Sequence, residues 1–187
     1  MAGLDLPFSV VSIDADESYP SHLQAGDIPY YISRAKARAY EAQLKEDQLL
    51  ITADTIVWCD GQMLGKPHDE ADAVRMLRQL SGKTHQVYTA VTFAHLDVSK
   101  KSCLAGAKKS RRLEISTIVD RTDVTFTELS DDEISYYVQK YRPFDKAGAY
   151  GVQEWIGFIA CTQMNGSYFN VMGFPVHLVY KVLKQML

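Results

Sequence analysis

The stretch that most limits what this chain can fold into is Leu49-Leu50-Ile51-Thr52-Ala53, a short and nearly continuous apolar run. Such a run reads as a strand buried on both faces, so the rest of the chain must supply covering layers. Ile28 to Lys45 supplies one: it reads as a helix, with Pro29 in its first turn and Ile28, Ile32, Ala35, Ala39 and Ala42 on one apolar stripe. Arg34, Arg38, Glu41 and Lys45 gather on one flank of that helix. Lys36 falls on the other, at the border of the stripe, where it can lean over the core edge toward a cleft.

The remaining segments alternate in the same way. Phe8 to Ile13 reads as a strand followed by the acidic turn Asp14-Ala15-Asp16-Glu17-Ser18. After Asp54-Thr55, Ile56 to Cys59 reads as a second β segment, and Asp60-Gly61 is a two-residue hairpin signal. Gly65-Lys66-Pro67 leads into a helix with Asp69, Glu70 and Asp72 at its start, ended by Ser81-Gly82. Two β-rich runs follow, Thr84 to Leu96 and Leu113 to Thr127. Ser130-Asp131-Asp132-Glu133 is a capping box, a strand is expected near Ile156 to Thr162, and a last helix starts near Pro175. No repeat, low-complexity tract or linker interrupts the pattern, so a single α/β domain over 1–187 is expected.

Composition narrows the function classes. A chain of 187 residues with 47% hydrophobic residues has enough for one core, and its formal charge of −3 argues against bulk nucleic-acid binding. The basic segment Ser99 to Arg112 has no aromatic residue for base stacking and reads as a solvated loop. Cys59, Cys103 and Cys161 are far apart and odd in number, which fits a reducing, cytoplasmic setting better than a disulfide framework. No apolar run approaches the length of a membrane span, and the five histidines show no zinc spacing. An anionic substrate would therefore meet local charge, from a few placed side chains or a metal ion.

Several residues suit such chemistry. Asp54, directly after the buried strand, would sit at the carboxyl edge of a sheet, where it suits holding Mg²⁺ or taking a proton from water; it equally suits satisfying backbone groups at a strand end. Lys66, between Gly65 and Pro67 at a helix entry, suits phosphate or a plain structural turn. A Walker-type loop is excluded, because the glycine spacing is one residue short and proline replaces the Ser/Thr. Glu17 reads as a second metal carboxylate or as part of a solvated acidic turn. Gln153, after Tyr150-Gly151-Val152, has an amide that suits a base or sugar edge, or a tie between two strands.

Taken in order, these stretches resemble the Maf-like nucleoside triphosphate pyrophosphatases. They comprise Asp16-Glu17-Ser18, Arg34-Ala35-Lys36-Ala37, Ala53-Asp54-Thr55-Ile56-Val57, Leu64-Gly65-Lys66-Pro67 and Leu80 to Val87, with Phe144 to Gln153 and Asn165 to Pro175. The resemblance implies an α/β fold with a bent mixed sheet around a central cleft, as in inosine triphosphate pyrophosphatases, and commonly a homodimer. It implies hydrolysis between the α and β phosphates of a nucleoside triphosphate, with Mg²⁺ or Mn²⁺. It also implies Asp54 as base, Glu17 and Asp54 near the metal, and Lys36 and Lys66 near the phosphates. The Ala-Tyr-Gly-x-Gln pattern ending in Gln153, together with Thr55, is similar to the branch acting on dTTP and UTP.

One feature of that family is missing from the sequence: a first strand running into a Ser-x-Ser-Pro-Arg-Arg loop. Met1-Ala2-Gly3-Leu4 matches the end of the helix after that loop, so a truncated form or misassigned start is expected. Arginines hold phosphate bidentately in a way lysines do not reproduce, so activity of the chain as written is expected to be absent or much reduced. The competing expectation is a non-catalytic nucleotide-binding or cell-division regulatory protein.

Overall fold

The computed structural model describes residues 2–97 and 111–186. Lys100, Lys101, Cys103, Lys108 and Lys109 of the basic segment lie outside the described residues. At its near end, Arg111 donates to the Leu44 carbonyl at 3.0 Å, and Arg112 pairs with Glu114 at 3.4 Å.

A five-stranded sheet in the order β2-β1-β3-β4-β5 forms the middle of the molecule. Its strands are β1 (Leu50–Cys59), β2 (Gln62–Leu64), β3 (Thr84–Asp97), β4 (Arg112–Phe126) and β5 (Cys161–Asn165). Helices α1 (Asp27–Ala39), α2 (Glu70–Leu80), α3 (Asp131–Tyr141), α4 (Trp155–Ala160), α5 (Tyr168–Val171) and α6 (Val176–Met186) complete the α/β architecture. The sheet was expected to be mixed; every described pairing is antiparallel. The β1–β2 turn is as expected, with Asp60 and Gly61 at φ 51° and 76°, the left-handed pair that matches strand twist in a two-residue hairpin.

Four elements differ from the sequence reading. Phe8 to Ile13 forms no strand: no described strand pairs with it, and Val10 is 85% exposed. Ile156 to Thr162 divides into α4 and the start of β5, an ambiguity that a short apolar run cannot resolve by period alone. The third difference bears on the site. Leu50 to Cys59 is one continuous strand, so Asp54 lies in its middle, opposite Ala90 of β3, and not after its end. The helix expected over Ile28 to Lys45 is α-helical to Ala39 and continues as a 3-10 turn over Glu41–Gln43.

Strand alternation assigns the two faces of β1. Thr52, Asp54 and Ile56 face α1: the Thr52 hydroxyl donates to the Ser33 carbonyl, and Ile56 packs with Ile28 and Ile32. Ala53, Thr55 and Val57 face the other way. There Ala53 joins Val91, Phe93, Val179 and Leu183 under α6, while Val57 joins Val87, Leu77 and Tyr137 under α2 and α3. Thr55 falls between these two apolar groups. Because β2 pairs only with Val57 to Cys59, the earlier part of β1 has β3 on one side and no described strand on the other. An open sheet edge therefore runs past Asp54 and Thr55.

Candidate active site

Four charged residues named from the sequence meet on the α1 side of that edge. The Lys36 ammonium donates to Asp54 Oδ1 at 2.7 Å and pairs with Glu17 Oε1 at 2.9 Å. Lys66 Nζ lies 3.8 Å from Glu17 Oε2. The order of exposure is informative: Asp54 is 11% exposed, Lys36 20%, Glu17 48% and Lys66 59%. A deep carboxylate is thus covered by a lysine and rimmed by a second carboxylate and a second lysine. The expected lean of Lys36 over the core edge is the geometry found.

Burial sets the proton affinities here. It pushes the Asp54 carboxyl above the ordinary aspartate value, against the opposing pull of the Lys36 ammonium. Burial also pulls on Lys36, but the bonds to Asp54 and Glu17 outweigh it and hold the amine above its ordinary value. Glu17 is held below the ordinary glutamate value by its bond to Lys36. The cluster therefore holds a persistent cation beside a carboxylate with raised basicity.

On the other face of β1 a cleft of about 320 Å³ opens, a volume within the range of small-molecule sites. Its walls include Thr55, Val57, Val87, Tyr150, Gln153 and Met172. Lys66 joins the two regions. It follows Gly65, whose carbonyl accepts from the Gly148 amide at 3.0 Å, and its charge lowers the proton affinity of Asp145 on the cleft wall after the larger effects of Lys146 and burial. Thr55 and Gln153 thus belong to the cleft, and Glu17, Lys36, Asp54 and Lys66 to the adjoining ionic cluster.

The sequence reading did not nominate the groups that shape the cleft. Tyr137 donates to Glu154 Oε2 and accepts from the Gly151 amide at 3.1 Å, while Lys146 pairs with Glu154 Oε1 at 3.3 Å. These bonds fix the backbone on both sides of Gln153. Tyr150 is anchored from behind, its hydroxyl 2.8 Å from His85 Nε2. Lys146 and Tyr150 stand within the Phe144 to Gln153 stretch, so a signal for them existed. His85 stands likewise within the Leu80 to Val87 stretch, whereas Tyr137 is recognisable only from the contacts.

Glu17 and Asp54 present a donor set that suits a divalent metal. Two carboxylates from separate segments, converging on one cation, match the common Mg²⁺ arrangement of one or two carboxylates completed by substrate phosphates and water. Among the described residues no group of three or more His, Cys, Asp or Glu forms an all-protein cage. The donors present therefore fit a metal brought in with phosphate.

Comparison with known proteins identifies the family. A family model described as "Maf-like protein" matches residues 1–186. A Bacteroides fragilis protein named "dTTP/UTP pyrophosphatase" is 49% identical over 187 residues, covering 100% of this chain and 89% of that protein. Proteins of the same name from Porphyromonas gingivalis and Flavobacterium johnsoniae are 46% and 43% identical, covering 98% and 96% of this chain and 86% and 84% of their own lengths.

Proposed function

The chain belongs to the Maf-like protein family, and from that premise we propose that it is a nucleoside triphosphate pyrophosphatase acting on dTTP and UTP. The observation that carries this reading is the placement of a paired-charge cluster and a base-sized cleft on opposite faces of one open strand edge, at the consecutive residues Asp54 and Thr55. A triphosphate crossing that edge would meet Lys36 and Lys66, with its base in the cleft between Thr55 and Gln153.

Asp54 takes the proton from the attacking water. Burial keeps its carboxylate more basic than a solvated one, which suits a general base. Lys36 holds that carboxylate in place and offers its charge to phosphate oxygens as Asp54 becomes neutral. Lys66, the more exposed lysine, neutralises the outer phosphates. Water adds at the α–β phosphoanhydride, the bridging P–O bond breaks, and the products are UMP and pyrophosphate. Glu17 and Asp54 would hold Mg²⁺ or Mn²⁺, which would take up charge on the phosphates when bound.

The reading places the protein in the cytoplasm, where nucleoside triphosphates are supplied, and as a homodimer, which light scattering at micromolar concentration tests. The functional test is pyrophosphate release from UTP, dTTP and CTP, with and without Mg²⁺. Asp54→Asn abolishes release; near-normal release by that variant would remove Asp54 from the mechanism.

A further inference from the structure

Thr55 Oγ1 lies 2.9 Å from Thr89 Oγ1, and Thr89 Oγ1 lies 2.9 Å from the main-chain carbonyl of Asn170. A carbonyl only accepts, so the single proton of the Thr89 hydroxyl is committed to Asn170. The proton of the Thr55–Thr89 bond must then come from Thr55. With that proton spent, Thr55 Oγ1 presents only lone pairs to the cleft.

This polarity is built in. Thr89 is fully buried in the middle of β3, and Asn170 is fully buried in α5. Asn170 is fixed by its own amide, which donates to the Val87 carbonyl at 3.1 Å and to Thr122 Oγ1 at 2.9 Å. Thr122 gives its own proton to the Ser167 carbonyl, so it can only accept from Asn170, and the amide orientation follows. The Gly173 amide reaches the same Asn170 carbonyl at 2.9 Å. Gly173 has φ +93°, and a Cβ there would stand 3.3 Å from Thr55 Oγ1; glycine keeps the space beside that hydroxyl open.

We infer that Thr89 is a specificity-determining positioning residue: through Asn170 it fixes the Thr55 hydroxyl as an obligate acceptor, so the cleft selects a pyrimidine carrying a ring N–H donor. Uracil and thymine have that donor at N3. Cytosine has a lone pair at N3 and would set two acceptors against each other. Gln153 can donate its amide N–H to a ring carbonyl beside that position, but it can also turn its amide over, so it does not enforce the choice alone. The inference rests on the proposed pyrimidine-triphosphate function, and it names the side chains that make that site discriminate.

The test separates binding from turnover. Dissociation constants for α,β-methylene-UTP and α,β-methylene-CTP are measured by calorimetry on the wild type, Thr89→Val and Thr89→Ser, with pyrophosphate release from UTP measured alongside. The wild type binds the UTP analogue at least tenfold more tightly. Thr89→Val frees the Thr55 proton and brings that ratio down about tenfold, while Thr89→Ser, which keeps the relay, retains it. An unchanged ratio in folded Thr89→Val, or similar wild-type affinity for both analogues, overturns the inference. If Thr89→Val does not fold, the wild type is tested with 3-deaza-UTP, which keeps both ring oxygens and replaces N3–H by C–H. Binding at least tenfold weaker than UTP supports the relay, and equal binding overturns it. Selective binding without pyrophosphate release would overturn the proposed reaction while leaving the relay intact; failure of the UTP analogue to bind overturns both.

Discussion

Lys36 donates to Asp54 across 2.7 Å, tying the later half of α1 to the middle of β1. The same ammonium also holds Glu17 at 2.9 Å, so one side chain organises both carboxylates of the site. Among the described residues the ion pair of Lys66 is with Glu17, at 3.8 Å, and its side chain is largely exposed. The two lysines therefore separate structural from functional contributions. Lys36→Met leaves a mostly buried carboxylate without its partner and should lower stability by about 2 kcal/mol at pH 7, below the range for a fully buried pair because both groups retain some water contact. Lys66→Met should change stability by less than about 0.5 kcal/mol. Both should lower pyrophosphate release at least tenfold. Urea unfolding beside the activity assay checks this, and a Lys66 variant as unstable as the Lys36 one would contradict it.

The acid limb of stability should report His85. Burial lowers its proton affinity from the ordinary value of 6.5 to about 4, with Tyr150 and Phe126 packed against its ring. The unfolded chain binds the proton more readily, so this contribution is fully present above pH 6.5 and is lost as pH falls toward 4. The loss amounts to about 3 kcal/mol. His85→Gln keeps a partner for the Tyr150 hydroxyl but does not titrate. Urea midpoints from pH 7 to pH 4 should fall less steeply in this variant; the same slope in both proteins would contradict the assignment.

Tyr137 should act on substrate affinity from beneath the cleft. Its hydroxyl joins Glu154 to the Gly151 amide, two residues before Gln153. Tyr137→Phe leaves the Gly151 amide without that acceptor and Glu154 with its Lys146 pair alone, and should lower stability by about 1–3 kcal/mol. With the loop loosened, KM for UTP should rise severalfold while kcat changes less. Equal KM values for variant and wild type would show that the bond supports the fold alone.

How much of this was legible depended on whether a residue's role follows from local spacing. The flank position of Lys36 follows from 100° per residue along one helix, and its contact with Asp54 bears out that reading. Asp54 was recognisable by type but misplaced, because the polar pair Asp54-Thr55 reads as the end of a strand. On an open edge bordered by a cleft, polar side chains can face outward on both sides while the strand continues to Cys59. The Phe8 to Ile13 pattern has the alternation and β-branched residues of a strand, but a strand needs a neighbour, and no local signal supplies one. The Thr55–Thr89–Asn170 relay was out of reach for the same reason. Its members are 34 and 81 residues apart, and threonine at a single position carries no spacing signature.

The central claim is tested most directly by identifying what the protein makes from UTP. Phosphorus NMR of UTP incubated with Mg²⁺ and protein should show UMP and pyrophosphate appearing in equal amounts. Turnover should be absent in Asp54→Asn. Formation of UDP and phosphate, product formation that survives Asp54→Asn, or no cleavage of UTP or dTTP would contradict the account.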